Sequence, residues 1–190
     1  MPRIRKTLGK TNSPYIVSLM QLIGTQSKAT IAEWCITYAE MHILPIFEKE
    51  CHGDFRPRKA LSAAREWLAG NVKLAEVKRI ILNDCHAVAR ELDDNPIAQA
   101  AARACGQVAS VIHVPTHSLG LAFYGSAAIA YNRFGLNETA EKYDQCAAEE
   151  CAKMEMALRA IAISKVTQNK KNNNRKKALT ANKRLGEIGV

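Results

Sequence analysis

An all-α fold, a compact bundle of about seven antiparallel helices with a basic C-terminal tail, is what this chain of 190 residues predicts, and three observations carry the prediction. Apolar residues recur every three or four positions in segment after segment, and no convincing strand pattern interrupts them. The breaks between segments carry a cap, a proline or a glycine. Aromatics make up only 6% of a chain that is 47% hydrophobic. The core is therefore built mainly from Ala, Leu, Ile and Val, which favours close-packed helices over a sheet.

Ser13-Pro14 opens the first helix, with a serine cap and proline at the first helical position, and Ile16, Val17, Leu19, Met20 and Ile23 follow. A second helix is expected from near Thr30, carrying Trp34, Cys35, Tyr38 and Met41 until Pro45 kinks or ends it just before Phe47. Pro57 opens a third, whose apolar face is Ala60, Leu61, Ala64, Trp67 and Leu68, with Trp67 expected in the core and Gly70 as the stop. Asn71 is expected to cap the fourth helix, which steps through Leu74, Val77, Ile81, Cys85, Val88 and Leu92 and ends at Asp93-Asp94.

Asn95-Pro96 starts a fifth helix with Ile97, Ala101, Ala104, Val108 and Ile112 on one stripe; Ala102, Gly106 and Ala109 make a small-residue face that lets another backbone approach closely. Pro115 breaks or bends the chain because it cannot donate to the carbonyl of Val111. A sixth helix runs to about Phe134, stopped by Gly135. A seventh, with Asn137 as its expected cap, follows the stripe Ala140, Tyr143, Ala147, Cys151, Met154, Leu158 and Ile161. The chain thus divides into a basic N-terminal arm over 1–12, a helical domain over 13–166, and a basic tail over 167–190 that is read as flexible.

The net charge of +9 is unevenly spread. Residues 1–32 hold five Lys or Arg and no acid, residues 33–150 hold 12 basic and 16 acidic residues, and residues 151–190 hold 10 basic and 2 acidic. The body is mildly acidic and the ends are basic. No apolar run approaches the ~18 residues of a membrane span, and the basic start leads into no signal-peptide core, so a cytoplasmic protein without membrane contact is expected. The six cysteines, Cys35, Cys51, Cys85, Cys105, Cys146 and Cys151, make no zinc-type spacing and read as reduced, buried small hydrophobes.

Several polar residues stand out against this background. Arg58, Ser62 and Arg65 recur on one face of the third helix, and Asn83, His86 and Arg90 recur on the fourth. If those faces meet, the cations need carboxylates; Asp54, Glu48 and Glu66 are the nearest in sequence. An internal salt-bridge and capping network is the leading reading, with a pocket, an anion site or a catalytic cluster behind it. His113 and His117 bracket Pro115, and their imidazoles are expected to bond backbone freed at the kink or groups such as Arg65 and Asp54. A minority reading gives the two histidines to a metal-dependent enzyme, although the proline between them spoils the usual geometry and no third ligand stands out. No phosphate-cradling loop, GxSxG or HExxH is present, so no catalytic residue and no cofactor is expected.

The ordered motifs carry a resemblance. Leu44-Pro45 with Phe47-Glu48, Asp54 with Arg56-Pro57-Arg58, Ala64-Arg65 with Trp67 and Gly70, His86 with Arg90, and Gly106, His113, Thr116-His117 and Gly120 follow one another between Trp34 and Tyr131. In that order they resemble the immunity protein family of bacterial polymorphic toxin systems. The resemblance implies a small intracellular protein that neutralises a cognate protein toxin by direct binding. It implies a binding cluster of Asp54, Arg56, Arg58, Arg65, His86, Arg90, His113 and His117. The C-terminal part departs from the family pattern: its last helix carries AAEECAKMEMALRAIAISKV instead of a Trp-, Arg- and Gln-rich helix with a Leu-Pro turn. The alternative function is a nucleic-acid-associated accessory protein using the tail, where Lys170, Lys171, Arg175, Lys176, Lys177, Lys183 and Arg184 would meet phosphates. The tail lacks interleaved aromatics and a reading helix, which argues against sequence-specific recognition.

Overall fold

The computed structural model describes residues 4–162, and among these every regular element is helical. The elements are α1 (Pro14–Ile23), α2 (Lys28–His42), α3 (Leu44–Glu50), α4 (Arg56–Leu68), α5 (Leu74–Ile80), α6 (His86–Glu91), α7 (Pro96–Ser110), α8 (Ser126–Phe134) and α9 (Ala140–Ile161). Helices α2 and α3 are the two halves of the expected second helix, parted just before Pro45. Helices α5 and α6 form one rod through a π turn, Ile81–Cys85. The widened turn rotates the apolar face by about one position, which is why Ile80 and Ile81 are both buried although a strict helical stripe selects only Ile81.

Helix α7 is the axis of the molecule. Eleven of its 15 residues are buried, so it has no solvent face; it packs against α2, α3, α4, α6 and α8. Its sequence suggested an apolar stripe and a separate small-residue face at Ala102, Gly106 and Ala109; Ala and Gly extend around the circumference and let neighbours close in from every side. Helix α9 lies outside this set, across α1, α2 and α8. Residues 4–12 lie against the body: Leu8 is buried and its N–H donates to the Phe123 carbonyl at 3.2 Å, while the Tyr131 hydroxyl donates to the Arg5 carbonyl at 2.6 Å.

Local details both follow and correct the sequence. After α4, Gly70 adopts φ +81°, with its N–H on the Trp67 carbonyl and the Asn71 N–H on the Glu66 carbonyl, a left-handed stop that satisfies two orphan carbonyls. Asn71 caps nothing; α5 begins at Leu74 and the Asn71 amide binds Glu66 at 2.7 Å. Helix α2 starts at Lys28, where Ser27 accepts from the Thr30 N–H. Thr139, not Asn137, caps α9. Ser13 stands at the N-cap of α1, but its hydroxyl accepts from the Lys10 N–H and so ties down the incoming chain. Trp67 is only partly buried, because it lies at the edge of the α4 stripe beside the exposed end of the helix.

All six cysteines are free thiols, and five are buried. Burial pushes every one of them above the usual thiol range, Cys85 and Cys151 to about 12. They serve as small core side chains, and the Cys85 thiol also donates to the Ala102 carbonyl.

Candidate functional site

The motif cations of α4 go to carboxylates on several surrounding elements. Arg65 forks onto Glu40 at 2.6–3.0 Å and also reaches Glu33 and Thr37, so it clamps α4 to α2. Arg58 binds Glu48 of α3 through two parallel bonds of 2.6 and 2.8 Å. Arg56 takes Asp54 just before α4 and Glu91 at the end of α6, and Asp54 also accepts the Arg56 backbone N–H. Lys59 completes the set with Asp84 of the π turn. The Arg56 guanidinium holds the Asp54 carboxyl below its ordinary range. Such bidentate forks fix helix positions by geometry; their partial exposure limits what each adds to stability.

Sequence proximity found Glu48 and Asp54 but not Glu33, Glu40, Asp84 or Glu91, and Glu66 serves Asn71 instead. A signal for part of this was present. Glu33, Thr37 and Glu40 are spaced by four and three, which lines them along one face of α2 ready to receive a cation.

The histidines gather elsewhere, around the second half of α7. His86, at the start of α6, lies over Gly106 so closely that a Cβ there would stand 2.7 Å from its ring. His117, in the 3₁₀ turn Pro115–Ser118, shares a 2.6 Å hydrogen bond with Gln107. His113 sits 5.9 Å from His117, ring centre to ring centre, and its Nδ1 is buried without a partner. The expected bonds from these imidazoles to Arg65 and Asp54 do not form, since both of those are engaged in the α4 network. Burial, with Arg90 and His117 nearby, lowers the pKa of His86; burial, with Lys78 and His117 nearby, lowers that of His113. Arg90 is exposed on α6. Among the described residues no three His, Cys, Asp or Glu side chains converge as a metal set. The sequence-derived cluster is thus two separate groups, an ion-pair lattice and a histidine patch. The tail residues Lys170, Lys171, Arg175, Lys176, Lys177, Lys183 and Arg184 lie outside the described residues.

A groove of about 840 Å³ opens between α2, α8 and α9, a feature the sequence reading missed. Its α2 wall is Trp34, Tyr38 and Met41; Ile46, Ile129, Asn132 and Arg133 form the floor and far side; Glu150, Lys153, Ala157 and Ile161 of α9 close it. Trp34 is held by an Nε1–H bond to the Met154 carbonyl, and the Tyr38 ring packs on His42 at 4.5 Å. Glu150 is only 6% exposed and pairs with Lys153 at 2.5 Å. Burial, then this carboxylate, holds the Tyr38 phenol well above its usual range. The signal was a wide apolar arc on α2: Ile31, Trp34, Cys35, Ile36 and Tyr38 are all buried in the core, and Met41, at the edge of that arc, is exposed at the groove rim.

Fold and site together define an all-α protein whose motif cations lock its helices and which carries a mostly apolar groove between α2, α8 and α9. Residues 21–157 match the family described as "Imm-5 like putative immunity protein", and the chain belongs to that family. The match reaches beyond the stretch from Trp34 to Tyr131 that carries the ordered motifs, taking in part of α1 and most of α9. No curated protein and no solved structure matches the chain. Among the described residues no helix is long and apolar enough to cross a membrane.

Proposed function

We propose that this protein is an immunity-type binding protein that neutralises a cognate bacterial toxin by direct association and performs no chemistry itself. The family match over residues 21–157 carries the reading. The geometry supports it. Arg56, Arg58 and Arg65 are occupied with internal carboxylates, and the thiols are held protonated by burial, so these groups contribute to a rigid body rather than to reactivity. A rigid body with a preformed groove binds without spending free energy on ordering itself. The test is to express the chain with the toxin encoded beside its gene. Protection of the cells, together with a stable complex of the two purified proteins, is the expected result. A toxin that neither binds the protein nor is blocked by it would overturn the reading.

A further inference from the structure

The histidine patch continues onto the helical rod beside it and becomes a row with a cation at each end. Lys78, Leu82, His86 and Arg90 recur every fourth residue along α5, the π turn and α6, so they share one face of the rod. Lys78, Leu82 and Arg90 are exposed, Leu82 by 58%. Helix α7 joins this face to the 3₁₀ turn: the His86 ring lies over Gly106, and the next residue, Gln107, holds His117, which stands beside His113. Burial, then Arg90 and His117, holds the His86 pKa down; burial, then Lys78 and His117, does the same for His113, and among the described residues no carboxylate offsets these cations. The acids of the rod are turned elsewhere. Asp84 pairs with Lys59 and Glu91 with Arg56, while Glu76, two residues before Lys78, lies about 200° round the helix from it. Every cation of α4 thus has a carboxylate inside the fold, whereas Lys78 and Arg90 have neither an ion pair nor a hydrogen bond among the described residues.

We propose that this row is the toxin-docking surface and that it receives an acidic face of the toxin, with carboxylates at Lys78 and Arg90, further acceptors at the imidazoles of His86, His113 and His117, and an apolar side chain over Leu82. The inference rests on the immunity reading above. Charge complementarity names the partner: two cations without an internal anion flank a run of imidazole N–H donors, and a surface of that sign attracts carboxylates. The spacing gives the partner its dimensions, since three steps of four residues at about 1.5 Å per residue put the two cations about 18 Å apart, the length of roughly three turns of a helix or a strand of roughly five residues. A protein fits better than nucleic acid. Duplex phosphates fall about every 1.7 Å and reward a dense run of cations, whereas this row holds two, with an exposed leucine between them that offers phosphates nothing.

The experiment measures, by titration calorimetry, the affinity of the full chain for the purified toxin encoded beside its gene. Lys78→Glu and Arg90→Glu reverse a charge at exposed positions and should each weaken binding on the order of tenfold or more. Arg79→Glu makes the same change in net charge about 100° round the helix from Lys78, and should weaken binding by less than about threefold. Added salt should weaken wild-type binding and narrow the gap between the wild type and Lys78→Glu. Circular dichroism melts establish that all three variants are folded. Wild-type binding that survives both row substitutions, or an equal loss in all three variants, overturns the docking row and leaves the immunity reading standing. So does a duplex oligonucleotide, or a second copy of this chain, that binds the protein and is released by Lys78→Glu. Toxin that fails to bind the wild-type chain overturns both.

Discussion

Gly120→Ala tests whether the helices around α7 are as closely set as the structure has them. Gly120 has ordinary helical torsions, so an added methyl carries no backbone strain and its effect is purely one of space. An ideal Cβ at this position would lie 2.3 Å from Cβ and 2.6 Å from Cγ of Gln107. Carbon atoms settle at about 3.5–4.0 Å, so the two segments must part by more than ~1 Å. The Gln107 Cγ can swing aside, but its Cβ is fixed to the backbone of α7, the helix against which α2, α3, α4, α6 and α8 pack. Overpacking of this kind costs about 1–3 kcal/mol, and a fixed Cβ belongs at the upper end; alanine returns about 1 kcal/mol of helix propensity. The net expectation is a loss of about 2 kcal/mol, seen as a fall of about 4–8 °C in melting temperature. Gln107→Ala should not rescue the variant, because it keeps the offending Cβ. Gly106→Ala is the internal comparison: there the nearest atoms are the ring tip of His86, which is half-buried and able to rotate, so the cost should be smaller and His86→Ala should relieve it. A Gly120→Ala protein as stable as wild type in urea titrations would refute the close approach.

Three further outcomes are expected. His86 and His113 have folded-state pKa values below the ordinary 6.5, so the unfolded chain takes up protons first as pH falls; stability is fully present above about pH 6.5 and is lost as pH drops through and below it. Thermal melts between about pH 7.5 and 5.5 should show this loss, reduced in His86→Gln, and a flat profile would remove the two histidines from the linkage. Arg65→Lys should cost about 1 kcal/mol despite preserving charge, since an ammonium cannot reproduce the fork onto Glu40 or reach Glu33 and Thr37 together; full wild-type stability would mean the clamp contributes charge alone. Trp67→Ala should cost about 1–3 kcal/mol, below the ~3–5 kcal/mol of a fully buried tryptophan, and a loss in that higher range would place the ring in the core.

The helices were legible because each carries local signals: the proline starts at Pro14, Pro57 and Pro96, the stop at Gly70, and the break at Pro115 all lie where the sequence places them. The π turn at Ile81–Cys85 was not. Inserting its extra residue into the turn preserves the spacing by threes and fours, so Ile80 passes for a solvent-facing residue although it is buried. Trp67 was misplaced for a related reason: periodicity assigns a side, not a depth. The caps of α5 and α9 moved because Asn71 and Asn137 are good cap residues in isolation, whereas Glu66 claims the amide of Asn71 and Thr139 stands directly before Ala140, the first residue of α9.

The candidate site was harder to read because its parts have opposite visibility. Arginines and histidines in ordered motifs attract attention, yet a guanidinium is visible in a sequence and its partner is not; once Glu33, Glu40, Glu48, Asp54 and Glu91 come into place, the motif cations become the fastenings of α4. The groove shows the converse. Trp34, Tyr38 and Met41 read in the sequence as apolar residues of one helix, and only the packing separates the two buried ones from Met41. That helix buries Ile31, Trp34, Cys35, Ile36, Tyr38 and Ala39 and leaves Met41 in solvent at the groove rim. A helix needs one apolar face to belong to a core. Here the apolar arc of α2 is wider than the core needs, yet Trp34 and Tyr38 are covered within the fold and only its edge, Met41, is left in solvent.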